Sequence, residues 1–211
     1  MKILHIDSSA LGDFSASRQL TAAIVAALRT GNAASTTGAG LVYHDLAAAP
    51  LTHVSGALLQ ALRAPAGTPP PVDSTLLAEM ALANTLVDEV LDADTIVVGA
   101  PMYNFSVPST LKAWLDRVVR AGRTVSYDQN GPKGLAGGRR VIIVSTRGGQ
   151  IAGQPYELTI DHQEAFLKAL FGLIGIDDIT IIRAEGLARG DDIRALAMQA
   201  ALRQAGELQA A

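Results

Sequence analysis

Two rhythms of apolar residues run along this chain. Short runs dominated by Ile, Val and Leu recur at residues 2–7, 41–46, 95–100, 140–146 and 179–184. The first, third and fourth are almost unbroken, which predicts strands covered on both faces, as in a parallel sheet. Between the runs the period changes to that of a helix. Leu20, Ala23, Ile24, Ala27 and Leu28 mark one stripe, and Leu76, Leu77, Met80, Ala83, Leu86, Val87, Val90 and Leu91 a longer one. Leu111, Trp114, Leu115, Val118 and Val119 follow Pro108, with Gly122 placed as a C-terminal glycine. Further helices are predicted over 157–174 and 191–208. Strand and helix alternate, which implies right-handed crossovers and a three-layer α/β sandwich.

Two stretches break the alternation. Residues 63–72, with Pro65, Pro69, Pro70 and Pro71, predict a loop between helices. Residues 123–135, with Asn130-Gly131-Pro132, predict a small excursion, a β-hairpin flap. Nothing resembles a long linker, so the 211 residues are expected to form one domain, 1–211.

Composition narrows the chemistry. A net charge of −3 argues against a sequence-independent nucleic-acid binder, which needs a basic surplus. The chain has no Cys, which excludes disulfides, thiolate catalysis and Cys-ligated metals. No apolar stretch approaches the roughly 18 residues of a membrane-spanning helix. The first residues predict a strand and carry no signal-peptide pattern, so the expected compartment is the cytoplasm.

Ligands of open parallel sheets bind beyond the carboxyl ends of the strands. Three such ends carry candidate chemistry. After the first run come Ser8, Ser9, Ser15, Ala16, Ser17 and Arg18, then a helix. Hydroxyls and N–H groups at a helix start either cap the helix or bind an anion such as phosphate. Arg18 either adds charge there or faces solvent. After the third run, Ala100-Pro101-Met102-Tyr103-Asn104-Phe105-Ser106 forms either an apolar plug or a wall for a flat heteroaromatic ring. After the fourth, Ser145-Thr146-Arg147-Gly148-Gly149-Gln150 is either a plain glycine turn or a close backbone approach to a ligand. Taken together, one phosphate site and one flat-ring site fit flavin mononucleotide (FMN) better than a dinucleotide. Neither a P-loop nor a G-x-G-x-x-G fingerprint is present. The four histidines, His5, His44, His53 and His162, form no metal-spaced set, and no serine sits in a nucleophile motif.

These blocks, with Leu111-Lys112, Asp116, Arg120-Ala121-Gly122, Gly131-Pro132, Gly134-Leu135 and Ala184-Glu185-Gly186, occur in an order that resembles the FMN-dependent NADH:quinone oxidoreductases known as azoreductases. The resemblance spans most of the chain. It implies a flavodoxin-like sandwich with a five-stranded parallel sheet in the order 2-1-3-4-5. It implies a homodimer with FMN at the interface, and hydride transfer from NADH or NADPH through FMN to quinones or azo compounds. By the same resemblance Ser9, Ser15, Ala16 and Ser17 hold the phosphate. Pro101, Met102, Tyr103, Asn104 and Phe105 line ring and ribityl chain, and Ser145, Thr146, Arg147, Gly148 and Gly149 approach from the other side. No dedicated catalytic acid or base is required. Tyr127 on the flap and Leu173 are the expected substrate-side residues. Val125 stands where relatives often have Phe, Leu173 where they often have an aromatic, and Gln150-Ile151 where some have His. The competing reading is an electron carrier of flavodoxin type without NAD(P)H oxidation of its own, although such carriers are usually shorter and strongly acidic.

Overall fold

The computed structural model describes residues 1–31, 40–65, 67–69 and 71–208. Pro70, in the predicted loop 63–72, lies outside the described residues. The runs form β1 (Ile3–Asp7), β2 (Leu41–Asp45), β3 (Thr95–Pro101), β6 (Arg140–Thr146) and β7 (Asp178–Ala184). They pair in parallel, in the spatial order β2-β1-β3-β6-β7. This is the order 2-1-3-4-5 when only the strands of this sheet are numbered. The remaining two strands, β4 (Val125–Asp128) and β5 (Gly131–Gly134), make the antiparallel hairpin expected of the flap.

Successive strand residues point to opposite faces, so each central strand feeds two cores. Leu4, Ile6, Ile96, Val98, Val141 and Ile143 pack under α3 (Ser74–Asp92), α4 (Ser109–Val118) and α6 (Gln163–Leu173). Ile3, Val97, Ile142 and Val144 pack under α1 (Ala16–Gly31) and α7 (Asp191–Glu207). Trp114 and Phe171 fill the first core and are fully buried. Two short helices, α2 (Gly56–Leu62) and α5 (Glu157–Ile160), complete the set. Ser55 and Asp73 cap α2 and α3 through side-chain acceptors for Leu58 N and Leu76 N.

The structure corrects two helix boundaries. The predicted helix 157–174 is split into α5 and α6 at Asp161-His162. The Asp161 Oδ1 carboxylate oxygen accepts from Gln163 N (3.2 Å) and Glu164 N (3.3 Å), so its side chain starts a new helix instead of continuing the old one. Gly122 is not the C-terminal glycine of α4. That helix ends at Val118, where Thr124 Oγ1 donates to the Val118 carbonyl (2.7 Å) and accepts from Arg120 N (2.8 Å). Gly122 instead turns the chain into the flap, with φ +77°.

The flap is anchored by backbone against backbone. A Cβ built on Gly134 meets Gly175 N at 2.1 Å and Ile174 C at 2.3 Å. Leu135 N bonds Thr124 O and Ala136 N bonds Ile174 O, so neither side is free to withdraw. Gly134→Ala is therefore expected to lower unfolding free energy by about 3 kcal/mol, the upper range for overpacking, in urea denaturation. Gly137→Ala is the comparison: there the nearest atom stands at 3.2 Å, and the loss should be smaller.

Candidate functional site

The three expected strand ends lie side by side, because β1 is hydrogen-bonded to β3 and β3 to β6, with Asp7 opposite Gly99 and Pro101 opposite Thr146. Two clefts lie there and share Met102, Arg147 and Gly148. The smaller, about 210 Å³, includes Ser9, Ser15, Ala16, Pro101, Tyr103 and Thr146 in its lining. The larger, about 580 Å³, includes Asn104, Phe105, Gly149, Gln150, Ile151 and Tyr156.

The smaller cleft has the chemistry of an anion site. Helix α1 begins at Ala16, so the first N–H groups of that helix have no intrahelical acceptor. Ser15 Oγ accepts from Arg18 N (3.3 Å) and lies 3.0 Å from Ser17 Oγ, both hydroxyls being buried. Ser9 Oγ lies 3.4 Å from the Tyr103 hydroxyl, which accepts from Ala10 N at 3.1 Å. The loop after β1 is thus tied to the loop after β3. Arg18 neither adds charge to the cleft nor faces solvent. Its guanidinium pairs with Asp45 and donates to the Ser9 carbonyl (3.0 Å), so it props the loop from behind. The Arg18 pair holds the Asp45 carboxyl below the usual carboxylate range.

Behind that loop the buried carboxylate of Asp7 centres a polar cluster. Thr21 Oγ1 and the Tyr43 hydroxyl donate to the two Asp7 carboxylate oxygens, at 2.9 and 3.1 Å. Asp7 also explains Gly99 opposite it, since a Cβ there would lie 2.7 Å from Asp7 Oδ1.

The larger cleft is walled by two unusual turns. Tyr103 and Ser106 exchange both backbone hydrogen bonds (3.0 and 3.1 Å) around Asn104 (φ +48°) and Phe105 (φ +69°). A two-residue turn of this kind requires left-handed backbone at both centres. Asn tolerates that; Phe does not do so readily, and strain of about 1–3 kcal/mol is stored there. On the facing side, the carbonyls of Arg147, Gly148 and Gly149 accept from Leu187 N, Ala188 N and Gly186 N. That bonding secures the glycine turn through its carbonyl edge.

Other expected residues sit behind the clefts or away from them. Ser17 and Ser145 are buried and line neither; the Ser145 hydroxyl bonds Gln163 Oε1 at 3.0 Å. Arg147 borders both clefts, but its guanidinium is committed to Asp161, Glu164 and Glu185. Tyr127, 63% exposed, borders a separate groove with Leu115, Val119 and Leu170. Leu173 lines neither cleft, and the nearby Phe171 is in the core. At the rim are residues that sequence reasoning missed: Tyr156 and Ile160 from the α5 region, Arg189 before α7, and Leu11, Phe14 and Arg194 at the smaller cleft. Of these only the Phe14 side chain, an exposed aromatic beside the serines, carried a usable signal. Among the described residues no group of three or more His, Asp or Glu is placed to hold a metal, and no helix is long and apolar enough to cross a membrane.

Residues 1–208 match the pattern of a family described as having a flavodoxin-like fold. A protein of Ralstonia nicotianae named FMN-dependent NADH:quinone oxidoreductase is 52% identical over 201 residues, which cover 95% of this chain and 93% of that one. This chain belongs to the FMN-dependent NADH:quinone oxidoreductase family. A second relative of the same name, from Methylocella silvestris, is 52% identical over 207 residues, covering 98% of this chain and 96% of its own. Among solved structures, an FMN-dependent NADH-azoreductase of Bacillus anthracis in complex with FMN superposes with TM-score 0.87 at 23% identity, over 99% of this chain and 97% of that one. That likeness bears on the fold.

The cluster behind the smaller cleft has a titration signature. Burial, with the Asp7 carboxylate beside it, pushes the Tyr43 phenol up to about 12. The folded state therefore holds this proton at pH values where the unfolded chain has released it. Stability from this source is fully present below about pH 10 and is lost as pH rises through about 12. Ultraviolet titration of phenolate should show one late-ionising tyrosine in the wild type, absent in Tyr43→Phe.

Proposed function

We propose that this protein is an FMN-dependent oxidoreductase that passes two electrons from NADH to quinones, with azo compounds as further flat acceptors, and that it works as a homodimer. The single observation carrying this reading is the pair of contiguous clefts, one built as a phosphate seat and one as a slot for a flat ring. The relatives' names support FMN and NADH, and the cytoplasm is the compartment this reading assigns.

The residues fit FMN on structural grounds. Unpaired helix-start N–H groups and the Ser9 and Ser15 hydroxyls would receive the phosphate, and Ser17, buried behind Ser15, would join them by turning away from the Ser15 hydroxyl. The Ser15 and Ser17 hydroxyls now satisfy each other and need only rotate, while the Ser9 hydroxyl pairs with Tyr103. Met102, Asn104 and Phe105 on one side, with Gly148 and Gly149 on the other, would hold the ring. When bound, FMN supplies the hydride-accepting and hydride-donating chemistry. The protein contributes position and field. The exposed glycine turn would offer preorganised backbone N–H dipoles to negative charge on a bound ring. Ile151 and Ile160 exclude water from one side of the slot. No side chain is required as acid or base.

The dimer reading rests on the flap. Tyr127 is exposed and turned to another groove of its own chain, so a role against substrate requires it to reach the cleft of a partner. In sedimentation, activity is expected to travel with the dimer; an active monomer would contradict this.

Anaerobic NADH should bleach the flavin absorbance of the FMN-loaded protein, and a quinone should restore it. Protein that takes up FMN but is not reduced by NADH would mark an electron carrier instead. The phosphate seat has a separate check. Ser15→Ala with Ser17→Ala removes two hydrogen bonds to a charged group, each worth about 1.5–3 kcal/mol. FMN should bind at least tenfold more weakly, with riboflavin affinity unchanged.

A further inference from the structure

The strained turn and the glycine turn come from different strands, yet one buried arginine is tied to both. Arg147 is the residue before Gly148-Gly149 and is only 2% exposed. Its guanidinium meets Asp161 Oδ2 at 2.7 Å, Glu164 Oε1 at 2.7 Å and Glu185 Oε1 at 3.0 Å, with Nε to Ser145 Oγ at 3.3 Å. Three carboxylates around one cation exceed what neutralising it requires, and each comes from a different place in the chain. Asp161 sits at the break between α5 and α6, Glu164 in the first turn of α6, and Glu185 after β7. Glu185 also accepts from Ala152 N at 3.2 Å, and Glu164 is shared with Arg183 on the outer side.

Asp161 carries the link onward. One of its oxygens faces Arg147, and the other caps Gln163 and Glu164. That fixes His162 between them, and the His162 N–H donates to the Phe105 carbonyl at 3.1 Å. Gln163 adds a second tie, from its Nε2 to the Ala100 carbonyl at 3.0 Å. A left-handed Phe persists only when its surroundings over-determine it. The Phe105 carbonyl is held from outside its own turn by this corner.

We propose that Arg147 and Asp161 are positioning residues: through His162 N–H they clamp the Asn104–Phe105 turn at a fixed separation from Gly148-Gly149, and so set the width of the ring slot. This rests on the flavin reading. Asp161 lines neither cleft, and its corner is tied to the Phe105 turn of the larger one, so changes at Asp161 act on the ring end. Arg147 is conspicuous in the sequence as a cation beside a ligand loop, but its charge is consumed internally by this arrangement.

The test compares Asp161→Ala and Asp161→Asn with Arg183→Gln, which breaks an ion pair on the same Glu164 without touching the corner. Apoprotein would be titrated with FMN and with riboflavin, following flavin fluorescence, and each melting temperature recorded. Asn keeps an oxygen for the α6 cap and loses only the charge, so it reports the Arg147 link if the alanine variant folds poorly. Both Asp161 variants should weaken FMN and riboflavin equally, by about tenfold, which corresponds to about 1.4 kcal/mol. Arg183→Gln should leave both affinities within about twofold of wild type. The clamp is overturned if the Asp161 variants melt earlier yet bind both flavins as wild type does. It is also overturned if only FMN binding weakens, or if Arg183→Gln has the same effect. Wild-type apoprotein that binds neither flavin overturns the flavin reading, and the clamp with it.

Discussion

Everything at the candidate site depends on the parallel pairing of β1, β3 and β6. Parallel neighbours must be joined by crossovers, so their carboxyl ends emerge at the same edge of the sheet. The register then fixes which residues meet there: Asp7 beside Gly99, Gly99 beside Val144, Pro101 beside Thr146. Because these strands are buried on both faces, a slip of one residue would exchange the two cores. The apolar pattern therefore guards the site geometry as well as the fold. Gly99 shows the coupling directly, since any side chain there would displace the Asp7 carboxylate that anchors Thr21 and Tyr43.

The three loops on this frame are not equally rigid by nature, and each is stiffened differently. The serine loop is held by Arg18 and Asp45 from behind and by Tyr103 from the side. The glycine turn is held by its carbonyls on residues 186–188. The Asn104–Phe105 turn stores strain and needs help from outside, which arrives through the corner between α5 and α6. In each case the polar side chains next to a ligand position are spent on structure. What they leave for a ligand is backbone N–H, hydroxyls and apolar surface, a set suited to a cofactor that brings its own reactivity.

Much of this was legible in the sequence. Apolar runs located all five strands of the sheet, and those of β1, β3 and β6 are almost unbroken because these strands are buried on both faces. Serines before a helix and glycines after a strand marked two walls of the site, because capping and close approach demand those residue types. Other features had no local signal. A left-handed Phe105 cannot be read from a residue that normally avoids that conformation. The break at Asp161 depends on a carboxylate choosing Arg147 and the next helix over its own, a tertiary decision. The internal pairing of Arg18 and Arg147 had no local signal, because partners such as Asp45 and Glu185 lie 27 and 38 residues away. Tyr156 and Ile160 reached the rim only because the helix expected there was divided.

The central claim is that one cleft at this sheet edge holds the phosphate beside Ser15 and Ser17 and the ring between the Asn104–Phe105 turn and Gly148-Gly149. Crystals grown with FMN test it most directly. The account predicts the phosphate within hydrogen-bond distance of both hydroxyls and the ring lying across the larger cleft. Flavin bound instead in the groove beside Tyr127, or with its phosphate turned away from the start of α1, would contradict it.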